Sequence, residues 1–82
     1  MIEQNDMHKT QQRIRKTLLF AFNMGHEEFE QLLPRILATN CTQHYLDDHW
    51  HMMRVNPAKW LLNLDFEAQE RFIQAALDKY GD

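Results

Sequence analysis

Only two glycines and two prolines interrupt these 82 residues. That scarcity argues against an all-β fold, which needs a tight turn between most strands. It also excludes a glycine-rich phosphate loop, because the two glycines stand 56 residues apart. A single cysteine, Cys41, leaves no internal disulfide. For a chain this small, the lack of a disulfide points to a reducing compartment such as the cytoplasm. Long apolar runs are missing too. The longest, LLFAF at residues 18–22, falls far short of a bilayer core of roughly 30 Å. It follows the basic stretch KTQQRIRK, as a signal peptide would. However, it is shorter than the usual hydrophobic part of about 7–15 residues, and His26, Glu27 and Glu28 follow without a small-residue cleavage pattern. The expectation is a mature, cytosolic protein.

Apolar bulk is plentiful. Hydrophobic residues make up 44% of the chain, with nine aromatics and five methionines among them. A domain of this size still buries only about 60% of its unfolded surface, so a partner or a second copy would add appreciably to its stability. Charge is divided along the chain. Residues 1–25 carry a net +2 and the remainder a net −5, which makes the overall −3. A basic head on an acidic body suits a contact with another protein, or packing of head on body. It is a thin footprint for nucleic acid, which usually meets a basic face and a high pI; here the pI is about 5.9.

The periodicity predicts an all-α single domain spanning residues 1–82, a bundle of four to five short helices with residues 1–5 loose. Asp6 is a good N-cap for a first helix over about 6–24. Ile14, Leu18, Ala21 and Phe22, with Leu19 beside them, form its apolar stripe, and Gly25 supplies a left-handed stop. A second helix spans about 26–39. Its stripe is Phe29, Leu32, Leu33, Ile36 and Leu37, and a break or kink is expected near Leu33 because Pro34 has no N–H to donate. Thr42 caps a third helix over about 43–55. Asn56-Pro57 restarts the chain as a short helix over 57–63, with Trp60, Leu61 and Leu64 turned inward. Asp65 caps the last helix, 66–80, whose inner face is Phe66, Ile73, Ala76, Leu77 and Tyr80, and Gly81 ends it.

The densest polar chemistry is HYLDDHWHMM, residues 44–53. On a helix, His44, Asp47, Asp48 and His51 share one side. Tyr45, Leu46, Trp50 and Met53 take the other, with His49 between. Zinc needs about four converging ligands. This face offers two at a time, with no cysteine pair or HExxH to supply the rest. The face is therefore read as solvated, with a partner surface tuned by histidine protonation as the alternative, and no metal or cofactor is expected. Cys41 precedes this helix, near its positive end, where a thiol's pKa can fall. No base, orienting group or oxyanion hole can be identified around it, so no catalytic residue is assigned and the chain is not read as an enzyme. On the first helix, Lys9, Arg13 and Lys16 lie near one face. They form either a polar flank or an electrostatic contact with an acidic partner, while weak, salt-sensitive nucleic-acid binding ranks behind both.

From MIEQNDMHKTQQRIRKTLLFAFNMGH into LLPRILATNCTQHYLDDHW, and in its overall length, the chain resembles the small cytoplasmic lysis-inhibition proteins of T-even bacteriophages, the RIII-type antiholins. The resemblance implies a protein of the host cytoplasm that binds the cytoplasmic part of the phage holin. In that role it assists a periplasmic antiholin and delays hole formation in the membrane. That family has no diagnostic chemical motif, so no functional residue is carried over. The partner-facing residues expected here are Arg13, Lys16, Tyr45 and Trp50, with a homo-oligomer as a further expectation. The alternatives are a small phage protein that inhibits a host enzyme or defence complex, and a helical nucleic-acid-binding regulator.

Overall fold

A computed structural model describes residues 2–81, with side-chain surroundings described from residue 8 onward. Five helices and no strand occur among the described residues: α1 (Ile2–Asn23), α2 (His26–Leu37), α3 (Gln43–Val55), α4 (Pro57–Leu62) and α5 (Phe66–Tyr80). The all-α single domain is as expected. Among the described residues, no helix is long and apolar enough to cross a membrane.

Local chemistry sets most of the boundaries. Thr42, Asn56 and Asp65 each accept the backbone N–H three residues on, from Tyr45, Lys59 and Ala68. Pro57 fills the first position of α4, where its missing N–H costs nothing. Gly81 ends α5 at φ 81° while its N–H bonds the Leu77 carbonyl at 2.7 Å.

Three boundaries differ from expectation. α1 starts at Ile2, so Asp6 lies inside the helix and is not its cap; Met1 lies outside the described residues. Gly25 is extended, at φ −80° and ψ 161°, and serves as the N-cap of α2, its carbonyl accepting from Phe29 N–H at 3.0 Å. α2 does not break at Pro34. The ring removes the bond to the Glu30 carbonyl, but Leu33 and Ile36, on either side of it, are both buried in the core, and their packing keeps the helix continuous. The left-handed residue that ends α2 is Ala38, at φ 55°, with its N–H on the Pro34 carbonyl.

A chain of touching rings joins all five helices. Tyr80 meets Phe20 edge-on with centroids 6.2 Å apart, and Phe20 lies 5.3 Å from Phe72. The series continues through Trp60 (5.1 Å), Phe29 (5.8 Å) and Trp50 (5.4 Å). The centre of this chain is buried, with Phe29 and Phe72 both 1% exposed and Trp60 3%. Ala68 and Ala76 flank Phe72 one turn away on α5 and are wholly buried, which lets the neighbouring helices approach closely.

The inward faces of the terminal helices differ from expectation. Around the C-terminal half of α1 the buried set is Thr17, Phe20 and Ala21, with Met24 just past the helix. Ala21 is inward as expected, but the face as a whole is turned about 100° from the Ile14–Leu18 stripe, one residue's rotation on a helix. Thr17 tolerates burial because its hydroxyl donates to the Arg13 carbonyl at 2.7 Å. On α5 the core takes Phe72 with Ala68, Ala76 and Leu77, while Ile73 and Tyr80 are half-buried and Phe66 is exposed.

Cations from other helices close three helix ends, where carbonyls lack intrahelical partners. Arg54 of α3 donates to the Phe22 carbonyl at 2.8 Å, and Arg71 of α5 to the Ile36 carbonyl at 2.6 Å. Lys16 of α1 donates to the Gly81 carbonyl at 2.8 Å, just past α5.

Candidate partner-binding face

Turning Phe20 inward on α1 turns other apolar side chains outward. Ile14 is 54% exposed, Leu19 51% and Phe22 64%. The six-residue α4 does the same, burying Trp60 and leaving Leu62 74% exposed. Where α1 and α4 face α5, Ile14 and Leu62 help to wall a groove of about 400 Å³, while Leu19 and Phe22 lie outside its lining. Its floor and walls are Ile14, Leu18, Leu61, Leu62 and Ile73, with Arg13 and Glu70 of opposite charge on the lining. Among the described concavities it exposes the most apolar surface. Such a groove suits the apolar stripe of a helix or an extended segment from another protein.

The four residues expected to meet a partner fall into separate places. Arg13 lines the groove. Lys16 lies beside it in a small depression with Lys9, Gln12 and Arg13, and also ties α1 to the chain end through Gly81. Tyr45 and Trp50 are not in the groove lining; both belong to α3. Tyr45 is exposed and stacks on His49 at 4.4 Å. Trp50 is half-buried against Phe29 and His26, with the Arg54 guanidinium 5.5 Å from its ring centre. It packs α3 onto α2.

Five apolar groove residues were therefore absent from the expected partner set: Ile14, Leu18, Leu61, Leu62 and Ile73. Ile14, Leu18, Leu61 and Ile73 carried an apolar signal that was assigned to the core. Leu62 is the one sequence clue to an outward wall, because on so short a helix Trp60 and Leu62 point to different sides.

The histidine-rich stretch is dispersed by the fold. His44 pairs only with Asp48, at 3.4 Å and mostly in water. His49 turns inward and accepts the Trp60 indole N–H on Nδ1 at 3.0 Å. Burial lowers the pKa of this imidazole below its ordinary value, against the smaller opposing pull of the Asp48 charge. Asp47 reaches across to α2, where His26 and Glu30 stand one turn apart. Cys41 is half-buried, its thiol directed at the Thr39 carbonyl at 3.7 Å. Burial raises its pKa, the opposite of the lowering that an exposed helix N-terminus gives a reactive thiol.

No protein-family model, curated protein or solved structure matches this chain.

Proposed function

We propose that this protein works by holding an apolar segment of another protein in the groove between α1, α4 and α5. We further propose that it is a cytoplasmic antiholin-type lysis-inhibition protein whose partner is the cytoplasmic part of a phage holin. The observation that carries the binding reading is the groove itself: large aliphatic side chains from three helices, exposed at Ile14 and Leu62 and half-buried at Leu18, Leu61 and Ile73, line one concavity of about 400 Å³. Leaving that much apolar wall in water is unfavourable, and contiguous exposed apolar surface is a mark of interaction sites. The holin as partner rests on the resemblance of the chain to the phage lysis-inhibition family.

In this reading the apolar walls set how long the complex lasts. Arg13 and the neighbouring lysines speed its formation with an acidic partner. The test is calorimetry of the full chain against a soluble holin cytoplasmic segment, together with lysis timing in infected cells. Binding at micromolar concentration is expected, weakened in the variant Ile14→Gln/Leu62→Gln, and a phage carrying that variant should lyse early. Absence of binding, with lysis timing unchanged when the gene is deleted, sinks the antiholin reading.

A further inference from the structure

Away from the groove, α2 and α3 bring three metal-ligating side chains to one point. His26 and Glu30 stand a turn apart on α2, and Asp47 comes from the first half of α3. His26 Nδ1 lies 3.3 Å from Glu30 Oε1, and His26 Nε2 lies 3.6 Å from Asp47 Oδ1. One ligand atom from each residue falls within 4.8 Å of the other two. A second group also bridges the two carboxylates. The Gln43 amide nitrogen bonds Glu30 Oε1 at 2.8 Å and Asp47 Oδ1 at 2.9 Å.

We propose that His26, Glu30 and Asp47 form a binding site for a divalent metal ion of the zinc class, bridging α2 and α3. The donor set selects the ion. One imidazole and two carboxylates suit zinc, cobalt or nickel, whereas calcium takes six to eight oxygens and magnesium keeps to oxygen and water. Two carboxylates also match the charge of the ion, so the loaded site is neutral. Gln43 marks where the ion goes: its partly positive N–H₂ group occupies the point that both oxygens address, and a cation there displaces it. Tetrahedral zinc holds its ligands at about 2.0–2.2 Å, so the three atoms must draw closer than they stand. Their side chains are 43%, 31% and 55% exposed, which leaves them free to turn and leaves a fourth position open to water. The His26 ring already has a wall, Trp50, edge-on at 5.1 Å.

The site differs from the pairing suggested by the His44–His51 stretch, which offers only two ligands at a time. It is also independent of the groove, so failure of either reading leaves the other standing.

The experiment is a melting curve and a calorimetric titration of the full chain with zinc chloride. Zinc at about 100-fold over its half-saturating concentration should raise the melting midpoint by about 10 °C. Losing an outer-shell partner costs a metal site about 10–100-fold in affinity, so His26→Ala and the near-isosteric Glu30→Gln and Asp47→Asn should each weaken binding by at least as much. His44→Ala/His51→Ala should bind zinc like the parent, and Gln43→Ala should retain binding because the competing amide is gone. Two results overturn the proposal. One is an unmoved midpoint with no heat of binding. The other is zinc affinity that survives Glu30→Gln and Asp47→Asn but disappears in His44→Ala/His51→Ala.

Discussion

On the α2–α3 side, His26, Glu30, Gln43 and Asp47 bond to one another across the helix pair. On the α1–α4–α5 side, Ile14, Leu61, Leu62 and Ile73 line an open groove. Both surfaces come from amphipathic helices of the same period, and their difference lies in what each kind of side chain needs. Half-exposed polar groups satisfy one another or water at little net gain. Apolar side chains gain only when another surface removes them from water, at about 25 cal/mol per Å². The first surface is complete without a macromolecular partner; the second gains from one.

The widest gap in that comparison lies between two neighbours on α5. Phe72 is 1% exposed at the centre of the ring chain, touching Phe20 and Trp60, whereas Ile73 is half-buried in the groove wall. Phe72→Ala should cost about 3–5 kcal/mol of unfolding free energy. For a domain holding about 5–8 kcal/mol in all, that approaches unfolding. Ile73→Ala should cost less, about 1–2 kcal/mol, since its side chain is only partly removed from water in the groove wall. Urea denaturation of the two variants measures both. Equal losses would mean that the groove wall is core, and the comparison would collapse.

A smaller effect tests the one histidine that crosses from the polar side into the core. The Trp60 indole needs His49 Nδ1 as an acceptor, and burial holds the pKa of that imidazole below its ordinary value of about 6.5. The unfolded chain therefore takes up this proton at a higher pH than the folded one. The contribution of His49 to stability is fully present above about pH 6.5, and is lost as the pH falls from there through the folded value. His49→Ala should cost about 1–3 kcal/mol at neutral pH, because a largely buried N–H loses its partner. It should also flatten the decline in stability just below pH 6.5. An unchanged slope in the variant would assign that decline to other groups.

Features written in adjacent residues were legible in the sequence. Thr42, Asn56-Pro57, Asp65 and Gly81 each act within one turn, and the boundaries of α3 and α5, with the start of α4, follow from them. The rotation of α1 was not legible, because LLFAF offers apolar side chains on every side. The choice among them was made by Phe72 and Tyr80, more than fifty residues away, which stack on Phe20. On α5, Ala76 and Leu77 were read as inward and are buried, but Ala68 was missed, since a small residue carries weak hydrophobic signal yet can sit deepest in the core. Continuity through Pro34 depended on tertiary packing of Leu33 and Ile36. Of the metal cluster, the sequence contains the His26–Glu30 spacing, but the third ligand arrives from another helix. Of the groove, Arg13 was legible by its charge. Its apolar walls, Leu62 apart, were mistaken for core.

The smallest expected effect on stability is the sharpest test of the groove. Ile14 and Leu62 are 54% and 74% exposed, so replacing both by glutamine removes little buried surface. Glutamine is also a good helix former, and a neutral side chain leaves the helix dipoles and the Arg13–Glu70 lining charges as they were. Surface substitutions of this kind usually stay within about 0.5 kcal/mol each. The melting midpoint of Ile14→Gln/Leu62→Gln should therefore fall within a few degrees of the parent. If the side chains had no task beyond filling space on a helix surface, nothing else would change. If they are anchors for a bound segment, the double variant should lose affinity by about tenfold or more, because truncated interface anchors cost over about 1 kcal/mol apiece. Calorimetry against the holin segment, beside a melting curve of the same preparation, separates the two. A variant that binds as tightly as the parent would move the partner surface elsewhere, with exposed Tyr45 and the α3 face next in line.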